Sequence, residues 1–163
     1  MNKTCVIVAD GSRARFFGVE PVDSPRVKMV LVEQSVLDNP DLRTLGTSVT
    51  GRPRTETNTN RQAGPVHPMG AQRERHRLEL ERRFGHEITR QAGEITQGWK
   101  DGTVVLIAEP RLLGLMREAL REALHPGIEL KELAKDYAHL SPGELLDHLA
   151  RNQLIAARPA PTA

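Results

Sequence analysis

The sequence predicts one α/β domain: a five-stranded mixed sheet with helices on both faces, in the order βββαβαβα. Three observations carry this. Residues 4–36 hold three apolar or alternating runs separated only by turn residues. Residues 103–152 alternate apolar runs with helical periodicity. A long helical pattern rich in arginine links the two halves. Strands joined by short links form an antiparallel meander, whereas strands separated by helices come out parallel.

The elements follow in order. Residues 4–9, T-C-V-I-V-A, are β-branched and apolar, as in a buried strand. Asp10-Gly11-Ser12 is a tight-turn signal. In residues 13–19, Ala14 and Phe16 alternate with Arg13 and Arg15, which predicts a half-exposed second strand. A turn over 20–25 leads to a third strand at 27–36. From about Ala71 to Gln97, Leu80, Phe84, Ile88, Ala92 and Ile95 recur at steps of three and four, the stripe of an amphipathic helix. Thr103 to Ala108 is continuously apolar, as in a strand covered on both faces. Pro110 opens a helix to about Leu124, and Ile128 to Leu133 alternates as a strand. Ser141-Pro142-Gly143-Glu144 is a capping box with proline at the first helical position, so a last helix runs through about Asn152. This element order is that of ribonuclease-H-like folds.

Composition fits one domain over 1–155 with a disordered tail at 156–163. The 163 residues are 38% hydrophobic and 3% aromatic, so the core is mainly aliphatic. The lone Cys5 rules out an internal disulfide and sits in an apolar run, where it reads as a small hydrophobe. The amino terminus lacks a signal-peptide pattern and no apolar run is long enough to span a membrane, so the protein is expected to be cytoplasmic. No Walker loop, dinucleotide fingerprint or serine elbow is present, and the sequence implies no cofactor.

Residues 38–72 are rich in Pro, Gly, Thr and Asn and predict a long mobile loop. Between Arg43 and Arg77 there are seven arginines (43, 52, 54, 61, 73, 75, 77) against two acids (Glu56, Glu74), so 7 − 2 gives a local +5 in a chain of net +2. Guanidinium groups recognise phosphate through forked donors. Arg52, Arg54, Arg61, Arg73, Arg75 and Arg77 are therefore candidate RNA-binding residues. The structural alternative is a solvated face laced with Arg–Glu pairs.

Three stretches, V-A-D-G-S-R-A-R-F-F (8–17), A-E-P-R-L-L-G-L-M-R (108–117) and K-D-Y-A-H-L-S-P-G-E-L (135–145), together resemble the bacterial host attachment proteins. That family is in turn similar to the middle domain of archaeal and eukaryotic class-1 peptide-release factors and of Pelota. The resemblance implies RNA, a tRNA or the ribosome as partner. It also gives a meaning to Gly70-Ala71-Gln72, which stands where those factors carry a Gly-Gly-Gln loop ahead of a long helix. Ala71 replaces a glycine whose backbone freedom alanine lacks.

A second constellation is acidic. Asp10, Glu109 and Asp136 each follow a strand expected to be parallel to the others, and ligand sites of open α/β sheets lie beyond such strand ends. Three carboxylates there are candidate ligands for Mg²⁺ or Mn²⁺ in a nuclease. The structural alternative makes them turn, cap and ion-pair residues. Gln72, Asp10, Asp136 and His139 are the candidate catalytic residues, His139 because Asp136 lies close enough in sequence to orient it. The expected function is RNA, tRNA or ribosome binding through the basic loop and helix, with no catalysis assigned. The alternatives are a metal-dependent nuclease and an adhesion-related or regulatory protein that meets an unnamed protein partner.

Overall fold

A computed structural model describes residues 3–23, 27–39 and 67–155. Five strands, β1 (Thr4–Ala9), β2 (Arg13–Asp23), β3 (Val27–Asp38), β4 (Gly102–Ala108) and β5 (Ile128–Ala134), form one sheet in the order β3-β2-β1-β4-β5. β1 pairs antiparallel with β2 and parallel with β4, β2 pairs antiparallel with β3, and β4 pairs parallel with β5. Among the described residues the helices are α1 (His67–Ile95), α2 (Pro110–Ala123) and α3 (Pro142–Arg151). The predicted βββαβαβα order and mixed sheet are what the chain forms.

The all-apolar strands feed two cores because successive side chains point to opposite faces. Cys5, Ile7 and Ala9 of β1, with Val104 and Leu106 of β4, pack under α1 and α2. Val6 and Val8, with Val105 and Ile107, pack against Leu145 and Leu149 of α3. Burial pushes the Cys5 thiol up to about 12, so it stays protonated and behaves as the hydrophobe its neighbours suggest.

Between Phe16 and Phe17 the β2–β3 register slips, pairing Phe16 with Ser35 and Phe17 with Glu33 and leaving Gln34 as the extra residue of a β-bulge. The bulge switches the alternation of β3. Leu31 enters the α3-side core and Leu37 packs on the α1/α2 side, although their even spacing would otherwise put them on one face. At the start of β4, Gly102 has φ +134, and a Cβ there would come within 2.7 Å of the Lys3 carbonyl that accepts from Thr103 N. Only glycine fits both constraints.

Three boundaries differ from expectation. β2 runs on to Asp23 through residues expected as a turn, because Glu20 to Asp23 pair with Val30 to Val27 of β3. α1 begins at His67, about a turn before Ala71, because Pro68 is harmless in a first turn where the N–H has no intrahelical acceptor. Gly70-Ala71-Gln72 therefore lies inside α1 and not in a loop ahead of it. At the other limit of the loop predicted over 38–72, Asp38 closes β3 and Asn39 is buried. Residues 40–66 and the predicted tail, 156–163, lie outside the described residues. α3 starts as predicted: Ser141 Oγ accepts from Glu144 N, and Glu144 Oε1 accepts from Ser141 N. The hydrogen bond from the Ser141 backbone holds the Glu144 carboxyl below its usual range.

Candidate functional site

β1, β4 and β5 run parallel, so Asp10, Glu109 and Asp136 lie at one end of the sheet, the end where α/β sites form. α1 descends towards β4, which places its amino half at that same end. Arg111, just past β4, accordingly reaches both Glu74 and Glu81 of α1.

Two of the three acids have separate local roles, and the third is exposed. Asp10 Oδ1 accepts from Ser12 N at 2.8 Å, Ser12 Oγ at 3.0 Å and Arg13 N at 2.8 Å, holding the turn into β2. Glu109 is the N-cap of α2 through its backbone carbonyl, which accepts from Leu113 N, and its side chain makes no cap bond. Asp136 and His139 are exposed in the link between β5 and α3. Among the described residues, no group of three or more His, Cys, Asp or Glu side chains is arranged to hold a metal ion.

The basic residues are arranged differently. From Gly70 to Glu79 no residue of α1 is buried, so Gln72, Arg73, Arg75 and Arg77 sit on a length of helix that stands clear of the core. Arg77 Nε lies 3.8 Å from Glu81 Oε1, a loose pair. Arg75 makes no ion pair among the described residues. Arg43, Arg52, Arg54 and Arg61 lie outside the described residues.

Sequence reasoning missed the bracket that holds this helix to the body. Glu81 is 3% exposed. Its Oε1 accepts from Arg111 Nη2 at 2.8 Å, and its Oε2 is buried without a hydrogen-bond partner. Beside it, Asn39 Nδ2 donates to the carbonyls of Gly11, at 3.3 Å, and Leu80, at 3.5 Å, tying the β1–β2 turn to α1. The available signal was a carboxylate at 81, next to Leu80 on the apolar stripe, where an uncompensated charge would be costly. Arg15 plays a similar part on the other face. Its Nη1 donates to the carbonyls of Ala138 and Leu140 while its Nε pairs with Glu33 at 2.9 Å, linking the 8–17 motif to the 135–145 motif.

The family model described as "Protein required for attachment to host cells" matches residues 5–149. The chain belongs to this family. The match begins inside β1 and ends inside α3, so the host-attachment domain takes in the whole sheet and the Glu81–Arg111 bracket. No curated protein matches the chain. Among solved structures, Thermus thermophilus RuvC is similar over 97% of this chain and 84% of its own, at 12% identity and a TM-score of 0.36.

Proposed function

We propose that this host-attachment protein binds RNA through the amino half of α1, using Arg73, Arg75 and Arg77 as phosphate contacts. One observation carries the reading: ten consecutive helical residues, 70–79, carry three arginines against two glutamates and bury no side chain fully, Leu78 alone being half-buried. A stretch that packs little more than Leu78 has scant packing reason to be helical at this length. Its arginines supply forked donors suited to phosphate, and Arg111 at the start of α2 adds a half-exposed guanidinium at the same end of the sheet. The resemblance to release-factor middle domains, which rests on the sequence motifs alone, makes transfer and ribosomal RNA the first partners to try. Gly70-Ala71-Gln72 is helical, so we assign it no hydrolytic role.

The test is fluorescence anisotropy of the full chain against transfer RNA and ribosomal RNA fragments across a salt series. Affinity is expected to fall with rising salt, by a slope of about 0.7–0.9 per phosphate contact. Arg73→Gln, Arg75→Gln and Arg77→Gln together are expected to weaken binding roughly tenfold and to flatten the slope. No binding at low salt, or binding indifferent to salt, rules the reading out.

A further inference from the structure

Arg73 and Arg77 project from the side of α1 that carries the apolar stripe, but Arg75 opens a second charged face that continues well past the amino half. Turning each residue by about 100°, Arg75, Glu79, Arg82, Arg83, His86 and Arg90 fall on one arc of roughly 100°, opposite the buried Leu80, Phe84, Ile88 and Ala92. All six are exposed. Four arginines against one glutamate give 4 − 1 = +3 along the arc, with His86 uncounted. Glu79 lies 3.8 Å from Arg82 and 3.6 Å from Arg83, while the arginine side chains remain 59% and 68% exposed. Glu87 and Glu94 fall to one side of the arc, and Glu74 and Glu81 face α2. From Arg75 to Arg90 the stripe is about 22 Å long at 1.5 Å per residue.

We infer that this stripe is a docking surface for double-stranded RNA, read by its backbone and not by its sequence; the inference rests on the RNA reading above and names the class of RNA. Charge complementarity gives a polyanion. The stripe carries no Phe, Tyr or Trp, and His86 is its one ring, so successive unpaired bases find no stacking platform and a single strand gains mainly its phosphates. A duplex offers two rows of phosphates to a straight rigid rod and needs no base contact. An anionic membrane is the other polyanionic surface. A helix that lies on a bilayer inserts an apolar face, and the apolar face of α1 is already spent on the sheet and α2.

The experiment compares a short RNA duplex, a DNA duplex and a single-stranded RNA of equal length, and phosphatidylserine vesicles, at one moderate salt concentration, with the full wild-type chain. It then repeats the duplex titration with Arg82→Gln, Arg83→Gln and Arg90→Gln combined, and with the corresponding triple lysine variant. The duplex is expected to bind several-fold more tightly than the single strand. The glutamine variant is expected to lose roughly tenfold and to reduce the salt slope by about two to three, with the lysine variant close to wild type. An unchanged thermal unfolding profile shows that the variants are folded. Equal or tighter binding to the single strand overturns the inference, as does comparable binding to the vesicles or tighter binding to a DNA duplex. So does a glutamine variant that binds the RNA duplex as wild type does. If that happens while the Arg73/Arg75/Arg77 variant loses affinity, the proposed function stands without this surface. If no RNA binds at all, both fall.

Discussion

Along α1, the carboxyl half buries Leu80, Phe84, Ile88 and Ala92 in the α1/α2 core or at its edge, whereas the amino stretch, from Gly70 to Glu79, half-buries Leu78 and buries no side chain fully. One helix thus has two kinds of support. The later turns are fixed by packing, and Gly85 marks how closely α2 approaches, since a Cβ there would lie 3.2 Å from Met116 Cγ. The earlier turns continue the hydrogen-bond ladder of the later ones and gain little else, because a helix segment without tertiary contacts is marginal in water. Arg111 stands at the boundary, with Glu74 on the exposed side and Glu81 on the buried side. Changes in one half should therefore register as stability, and changes in the other as binding.

The largest expected effect tests the packed half. Phe84→Ala should cost about 3–5 kcal/mol in chemical unfolding, because the ring is 2% exposed between sheet and helices. A loss under about 1 kcal/mol, the level of a surface change, would mean that the carboxyl half is not the anchor. Next comes the boundary. Arg111→Ala should destabilise by about 2–4 kcal/mol, because it strands a carboxylate that is nearly fully buried. Adding Glu81→Gln removes the stranded charge, so the double variant should be more stable than Arg111→Ala alone. If the double is worse, the bracket is not what holds Glu81.

Smaller effects sharpen the contrast. Gly93 has nothing within 4 Å of a built Cβ, so Gly93→Ala should stabilise the packed half by about 0.5–1 kcal/mol in the same unfolding curves. Gly70 is equally open. Gly70→Ala should raise helicity by circular dichroism and slow amide exchange in residues 70–79 while leaving global unfolding within about 0.5 kcal/mol. An equal gain in global stability from the two substitutions would erase the distinction between the halves.

A separate acid limb belongs to α3. The folded-state pKa of Glu144 is depressed, so its capping contribution is present above the unfolded value of about 4.3 and is lost as pH falls through the folded one. Glu144→Gln should flatten that limb of the pH–stability profile by lowering neutral stability towards the acid value, since the amide can still cap but carries no charge.

Local pattern was enough to read the elements, because strands and helices announce themselves by which nearby residues are apolar. T-C-V-I-V-A and T-V-V-L-I-A read as covered strands, and both feed two cores. The capping box at Ser141 is local chemistry and was legible for that reason. The start of α1 was misread because Pro68 and Gly70 break helices in most positions, and only their place in the first turn spares them. Of the candidate site, the arginines of α1 were legible as charge, and the outward arc of Arg75, Arg82, Arg83 and Arg90 followed once the buried stripe was fixed. The Glu81–Arg111 pair was not legible, since its partners stand 30 residues apart and meet only when α2 packs on α1.

The sequence by itself determined where strands and helices form, since hydrophobic period and capping act over a few residues. Tertiary structure alone decided which of those residues meet. It put the bulge at Gln34 that sends Leu31 and Leu37 to opposite faces, and it set a buried carboxylate opposite Arg111. It also left the arginines of α1 facing water, because burial and charge pairing depend on contacts between elements and no local pattern encodes those contacts.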